Sequence, residues 1–349
     1  MAVYGPNRHA GANGLWSMMR PGPRSALPSS LTWLPLGPAD NRELAELLHR
    51  VEEVDDPPYR TTAQETAEYF IDPTYSGVAG RDADGVMRAF GLVRLRPAAE
   101  IYVSTIGTVD PGWRRLGIGG ALLHWQTERA RHLIGVERAA ARSHRGSVPA
   151  HVVTTVLEGD ERMMEHLAEL GFEPRRWYRE LRRDLSLPLP FIDLDRFLTV
   201  EPWSDELDDA ARRAHNEAVA EGGGQSPMSA EDWAARRAYF APTWSFVAVD
   251  RSGDRARVAG YLRSGRYEQD WEALGWREGY TDMIGVLSEY RGRRVAEALL
   301  TSAMSAYARD GMQFAATGVD SDNPAGAVDL YRDLGYSPTR GSVLYSLDV

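Results

Sequence analysis

Two six-residue stretches have the composition of an anion-binding turn. Residues 114–119 read RRLGIG and residues 291–296 read RGRRVA, 177 positions apart. Each begins five residues after a valine, Val109 or Val286, that ends a strand-like run, and each leads into a helix-like run. The first N–H groups of a helix lack backbone partners and sit at the positive end of its dipole, so a pyrophosphate docks there. Glycine lets the chain turn sharply and lets the ligand come close. The first loop offers Arg114, Arg115, Leu116, Gly117, Ile118 and Gly119 to such an anion, and the second offers Arg291, Gly292, Arg293, Arg294, Val295 and Ala296. Arg294 stands where the first loop has Gly117. A side chain there can point away while the N–H groups face the ligand, and Arg291, Arg293 and Arg294 can add charge-assisted contacts to phosphates. One such loop is a weak sign; its recurrence in the same setting is a strong one.

The elements that position the loops recur with them. From residue 31 the pattern predicts a strand (LTWLPLG), a helix over 40–54, a second near 63–70, and strands at 75–79 and 89–96 around the polar turn GRDADG. A strand (EIYVSTIGTV), the loop and a long helix follow, then a strand (HVVTTVL), a short helix ending LAELGF and a closing strand near 178–185. After the proline-bearing stretch LSLPLPFIDLDRFL the same order returns. It runs LTVEPW, a helix over 206–220, a glycine break, a helix at 230–239 capped by Ser229, strands WSFVAVD, RVAGYLRS and YTDMIGV, the second loop and helix, FAATGV, a helix ending YRDLGY, and SVLYSLDV. This is an internal duplication. It predicts a flexible arm over 1–30, one domain over 31–186, a linker over 187–196 and a second domain over 197–349. The first copy carries 13 extra residues between its loop and its LGF, placed in the loop around GVERAAARSHRGSVPA.

On these motifs the chain resembles the GNAT superfamily of N-acetyltransferases, tandem two-domain type, whose signature Q/R-x-x-G-x-G/A lies between the fourth strand and third helix. The resemblance covers nearly the whole chain beyond residue 30, once per half. It implies an α/β fold of the α+β kind: two tandem domains, each a mixed, mostly antiparallel sheet with flanking helices and a splayed fourth and fifth strand. It implies that the loops bind the pyrophosphate of acetyl-CoA, and that Gly107 to Val109 and Ile284, Gly285 and Val286 expose backbone to the pantetheine arm and acetyl carbonyl. The second half, in DSDNPAGAVDLYRDLGY, matches the family's N-x-x-A-x-x-x-Y pattern give or take one position, with Asn323 and Tyr331. The family's tyrosine protonates the departing thiolate, which makes Tyr331 the candidate acid. The first half has Gly159 and Leu167 in those places and no evident acid. The amine attacks directly, held beside the thioester, with the oxyanion held by a strand N–H. For the base, alternation along EGYTDMIGV puts Glu278, Tyr280, Asp282 and Ile284 on one face. Tandem members of the family carry a glutamate where Tyr280 stands, so Asp282 is the first candidate and Glu278 the second. The implied function is acetyl-CoA-dependent transfer to the amine of a small molecule, with chemistry in the second domain. The alternative is a non-catalytic acyl-CoA-binding or regulatory tandem protein.

Composition narrows the rest. A formal charge of −10 argues against a general nucleic-acid or anionic-membrane surface. The chain has no cysteine, which excludes disulfides and thiolate chemistry, and no lysine, which excludes a lysine Schiff base. Its eight histidines show no metal-ligand spacing, so no metal is expected. No apolar run reaches the length of a bilayer span and the start has no secretory apolar core, which predicts a cytoplasmic protein, monomer or homodimer, without nucleic-acid or membrane partners. Tyr267, Trp271 and Trp276, just before the second candidate strand, are placed to line an acceptor site, and packing explains them as well. The run EGGGQSP reads as a helix break or a hinge.

Overall fold

A computed structural model of the chain describes residues 2–4, 27–71, 74–97, 100–141, 148–222, 227–235, 237–321 and 327–349. Most of the arm over 1–30, the middle of the insertion, the glycines at 223 and 224 and Asn323 lie outside these residues. The chain divides into two compact units. One comprises Met1–Arg8 and Arg176–Val343, the other His9–Arg175 and Leu344–Val349. Ala2–Tyr4 form a short strand, β1, which belongs with the unit of the second repeat.

The unit of the first repeat runs β2 (Thr32–Pro35), α1 (Asn41–Asp55), α2 (Ala63–Ile71), β3 (Tyr75–Arg81), β4 (Met87–Pro97), β5 (Ile101–Val109), α3 (Ile118–Ala141), β6 (Ala150–Leu157) and α4 (Glu161–Glu169). The strands lie in that order, antiparallel except for the parallel pair β5 and β6. Helical spacing of Leu44, Leu47 and Val51 turns one face of α1 to the sheet, against Phe90 and Leu92. Ile118, Leu122 and Trp125 of α3 pack with Val78, Ala89 and Val109, the alternate residues of the strands, so helices cover both faces. The parallel pairing stops at Ser104 opposite Val153.

The unit of the second repeat takes β7 (Glu173–Asp184) from Arg176 on, then β8 (Leu198–Pro202), α5 (Asp205–Gly222), α6 (Ala230–Ala235), β9 (Phe246–Asp250), β10 (Arg257–Gly265), α7 (Trp271–Leu274), β11 (Glu278–Val286), α8 (Val295–Arg309), β12 (Phe314–Asp320), α9 (Ala327–Asp333) and β13 (Ser337–Asp348) up to Val343. Its strand order is β7-β12-β11-β10-β9-β8, again antiparallel apart from one parallel pair, β11 with β12. The Ser229 hydroxyl caps α6 by accepting from Asp232 N at 3.0 Å. That helix ends at Ala235, short of the expected Tyr239, and Tyr239 and Phe240 follow it on irregular chain. One core of Trp, Tyr and aliphatic side chains, from Ala211 on α5 to Leu299 and Tyr307 on α8, fills both faces.

Candidate active site

The parallel ladder of β11 with β12 has four rungs, Glu278 opposite Phe314 through Thr281 opposite Thr317. Beyond them the two strands part. The first repeat forks at the equivalent rung, since Ser104 lies 177 positions before Thr281. The Thr317 hydroxyl ties the fork by donating to Thr281 O at 3.1 Å. Beneath it Tyr307 of α8 shares its hydroxyl with Ser264 Oγ (2.6 Å) and Thr281 Oγ1 (3.1 Å). Its ring fills the space that a side chain at Gly279 would need, 2.3 Å from where a Cβ would stand. Burial pushes the Tyr307 hydroxyl well above its usual range, so it serves as a neutral strut.

One residue past the fork, β11 carries an extra residue. Arg263 lies opposite Met283 and Ser264 opposite Thr281, which leaves Asp282 without a counterpart on β10. The bulge corrects the expected alternation. Tyr280 and Asp282 share a face, but Ile284, opposite Leu262, moves with Val286 to the side of α8, where Gly260, the counterpart of Val286, meets Val295 and Leu299. Asp282 accepts from the Tyr267 hydroxyl at 2.8 Å and lies over Gly265. Tyr267 in turn packs against Tyr239 (5.0 Å between centroids) and Tyr280 (5.9 Å). Burial lowers the affinity of the nearby Arg263 guanidinium for its proton, while the Asp282 carboxylate opposes that shift. The first repeat has no such bulge, its β4 and β5 pairing residue for residue from Ala89 with Val109 to Pro97 with Ile101.

Tyr331, on α9, is buried beside Thr317 without a well-formed hydrogen bond to its hydroxyl, and burial pushes its pKa up to about 12. It therefore meets the fork as a neutral phenol. Leu167, its counterpart, is fully buried in the first repeat. Asn323 lies outside the described residues. Glu278 stands apart from this group. It is on the first rung, four residues before Asp282, or about 13 Å along a strand. There it accepts from Trp276 Nε1 at 2.8 Å, and burial raises its pKa. With Glu180, Arg182, Trp276 and Arg340 it lines a cavity of about 160 Å³. Arg182 stacks on Trp276 at 4.0 Å. The structure thus separates the two base candidates and splits the aromatic trio: Tyr267 goes with Asp282, while Trp276 goes with Glu278, and Trp271 Nε1 donates to the Glu278 carbonyl at 3.3 Å.

The two anion loops share one backbone. In the first, Arg115 and Gly117 have φ of +64° and +79°; in the second, Gly292 and Arg294 at the same two positions have +76° and +62°. Glycine and arginine have exchanged places in a pair of left-handed residues. The helices start just after, at Ile118 and Val295. The leading arginines are engaged elsewhere: Arg114 grips Asp55 with two bonds of 2.6 Å, and Arg291 reaches Glu221 at 2.6 Å. Each ties its loop to the end of the first helix of its repeat. Arg293 lies 3.6 Å from Asp195 and over Tyr290. Arg294 and Arg115 are exposed, with no ion pair among the described residues. Among the described residues no group of three or more His, Asp or Glu is placed to hold a metal, and no helix is long and apolar enough to cross a membrane.

A family model described as an acetyltransferase (GNAT) domain matches residues 243–338. A mycothiol acetyltransferase of Salinispora arenicola is 32% identical over 273 residues, covering 76% of this chain and 79% of that protein. One from Frankia alni is 30% identical over 342 residues, covering 91% and 94%. Among solved structures, a GCN5-related N-acetyltransferase from Sphaerobacter thermophilus has a TM-score of 0.67 at 22% identity, covering 92% of this chain and 96% of that one. A tandem GNAT protein from the clavulanic acid biosynthesis pathway has a TM-score of 0.61 at 17% identity, covering 91% and 98%.

Proposed function

Because this chain belongs to the GNAT family of N-acetyltransferases, we propose that its second repeat moves an acetyl group from acetyl-CoA to the amine of a small-molecule acceptor by direct attack. One observation carries the reading: the last rung of the β11 and β12 ladder has Tyr331 beside Thr317 on one side and the bulged Asp282 next to Thr281 on the other. The anion loop at residues 291–296 receives the pyrophosphate on the N–H groups leading into α8, with the free Arg294 guanidinium at hand. The parted edge of β11 from Asp282 to Val286 receives the extended arm, and its N–H groups hold the oxyanion.

At the fork the amine lone pair adds to the thioester carbon, the N–C bond forms and the C–S bond breaks with its electron pair going to sulfur. Asp282 takes the proton that the amine loses, directly or through a water. Tyr331 gives its hydroxyl proton to the sulfur. A phenol with a pKa of about 12 is a weak acid, but the apolar setting that raises it also raises the pKa of a departing thiolate, so donor and acceptor stay matched. The Asp282 carboxylate, Tyr239, Tyr267 and Tyr280 make a half-buried, aromatic and acidic approach suited to an amine.

A second reading applies to the first repeat. It has the loop and the fork, yet an unbulged β5 and Leu167 in place of a phenol. These features favour binding of acyl-CoA there without turnover. CoA release measured with polyamines, aminoglycosides, amino acids and cysteine-bearing thiol precursors identifies the acceptor class. With that acceptor, Tyr331→Phe is expected to lower kcat by about 10²-fold or more. An unchanged rate refutes the placement of chemistry in the second repeat. Calorimetric titration with acetyl-CoA counts the competent loops.

A further inference from the structure

Past the fork, the edge of β11 that β12 leaves is covered by the chain's own residues. β1 pairs with it antiparallel, Ala2 opposite Gly285, Val3 opposite Ile284 and Tyr4 opposite Met283. We propose that residues 2–4 are a built-in competitor for the acyl-CoA channel of the second repeat, docked while the channel is empty and displaced when acyl-CoA binds. The proposal rests on the acyl-CoA reading above.

Three observations carry it. β1 takes the stretch between the anion loop and the fork, the stretch the acyl-CoA reading gives to the extended arm. It runs from the loop end, at Gly285, to the fork end, at Met283, as an arm entering from the pyrophosphate would. The chemistry of the occupant is also matched. A parted strand edge presents N–H and C=O groups in a row and takes an extended chain of amides, which a peptide strand supplies and a pantetheine arm, with its two amides, supplies in part. Finally, the strand is very short. Three residues form few ladder hydrogen bonds, and the entropy of ordering them offsets much of that gain, so β1 is a displaceable occupant and not a fixed member of the sheet.

The test compares the full chain with a form lacking residues 2–8 and with Val3→Pro, which removes a strand N–H and leaves the length intact. Hydrogen exchange at residues 282–286 reports docking, and calorimetry reports acetyl-CoA affinity. Both variants are expected to speed exchange at these amides and to tighten acetyl-CoA binding about threefold to tenfold, the effect of freeing a channel occupied about two thirds to nine tenths of the time. A synthetic peptide of residues 2–8, added to the shortened form, is expected to weaken acetyl-CoA binding competitively. Unchanged exchange in both variants overturns the docking. Faster exchange with unchanged affinity overturns the competition. Acetyl-CoA that fails to bind the shortened form overturns the acyl-CoA reading itself, and the competitor with it, whereas normal binding that ignores β1 overturns the competitor alone.

Discussion

The exchanged glycine and arginine in the two anion loops give a prediction whose sign differs between stability and binding. A residue with a Cβ loses about 1–2 kcal/mol in the left-handed region. Glycine avoids that cost but gives up about 0.5–1 kcal/mol through the larger entropy of its unfolded chain. Nothing lies within 4 Å of a Cβ at Gly117 or Gly292, so steric clash adds nothing there. Arg294→Gly and Arg115→Gly should therefore each stabilise by about 0.5–1 kcal/mol, and Gly117→Ala and Gly292→Ala should each destabilise by a similar amount. For a unit of this size that is about 2–4 °C in Tm per kcal/mol, read by thermal unfolding. Acetyl-CoA affinity, read by calorimetry on the same samples, should fall in Arg294→Gly, because a free guanidinium beside the N–H groups has gone, and should hold in Gly292→Ala. A lower Tm for Arg294→Gly, or a higher one for Gly117→Ala, refutes the conformational account. Unchanged affinity in Arg294→Gly refutes the contact with phosphate.

Other outcomes follow from the fork. The folded Tyr331 pKa of about 12 lies above the usual value near 10, so its protonated burial stabilises the fold fully below pH 10 and that contribution is lost as pH rises from about 10 to about 12; Tyr331→Phe should flatten the alkaline fall in Tm over that window. Gly279→Ala drives a Cβ to 2.3 Å from the Tyr307 ring and should cost about 3 kcal/mol in unfolding experiments. Thr317→Val removes the 3.1 Å bond to Thr281 O and should cost about 1–2 kcal/mol, with a fall in kcat that exceeds any change in KM if Thr317 positions Tyr331.

What could be read ahead of the structure was the periodic and the repeated. Leu44, Leu47 and Val51 announce α1, and the 177-residue register carries β5 and the anion loop after it onto β11 and the second loop. The bulge at Asp282 left no trace, because a strand with one extra residue still alternates on either side of it, and only the pairing with β10 shows that Ile284 has changed faces. Helix α6 was overdrawn because Tyr239 and Phe240 continue an apolar spacing that tertiary packing uses differently: Arg263 stacks on Phe240, and Tyr239 meets Tyr267. The leading arginines of the loops were offered to the anion as part of the repeated motif, Arg291 also by its charge. Their carboxylate partners, Asp55 and Glu221, are 59 and 70 residues away, beyond the reach of any local pattern.

The placement of residues 344–349 bears on how the chain folds as it is made. Arg138 holds the carbonyl of Val349, Val349 N bonds the carbonyl of Ala150, and Asp348 pairs with His151 and Arg175, all inside the unit built from the first repeat. Synthesis proceeds from the N-terminus, so that unit waits for partners that emerge only after the whole second repeat. A ribosome-bound chain halted at the linker thus carries a first repeat with an open sheet edge, a state that favours chaperone capture or mispairing over early completion. The unit of the first repeat is thus completed only once residues 344–349 have been made, behind the whole second repeat.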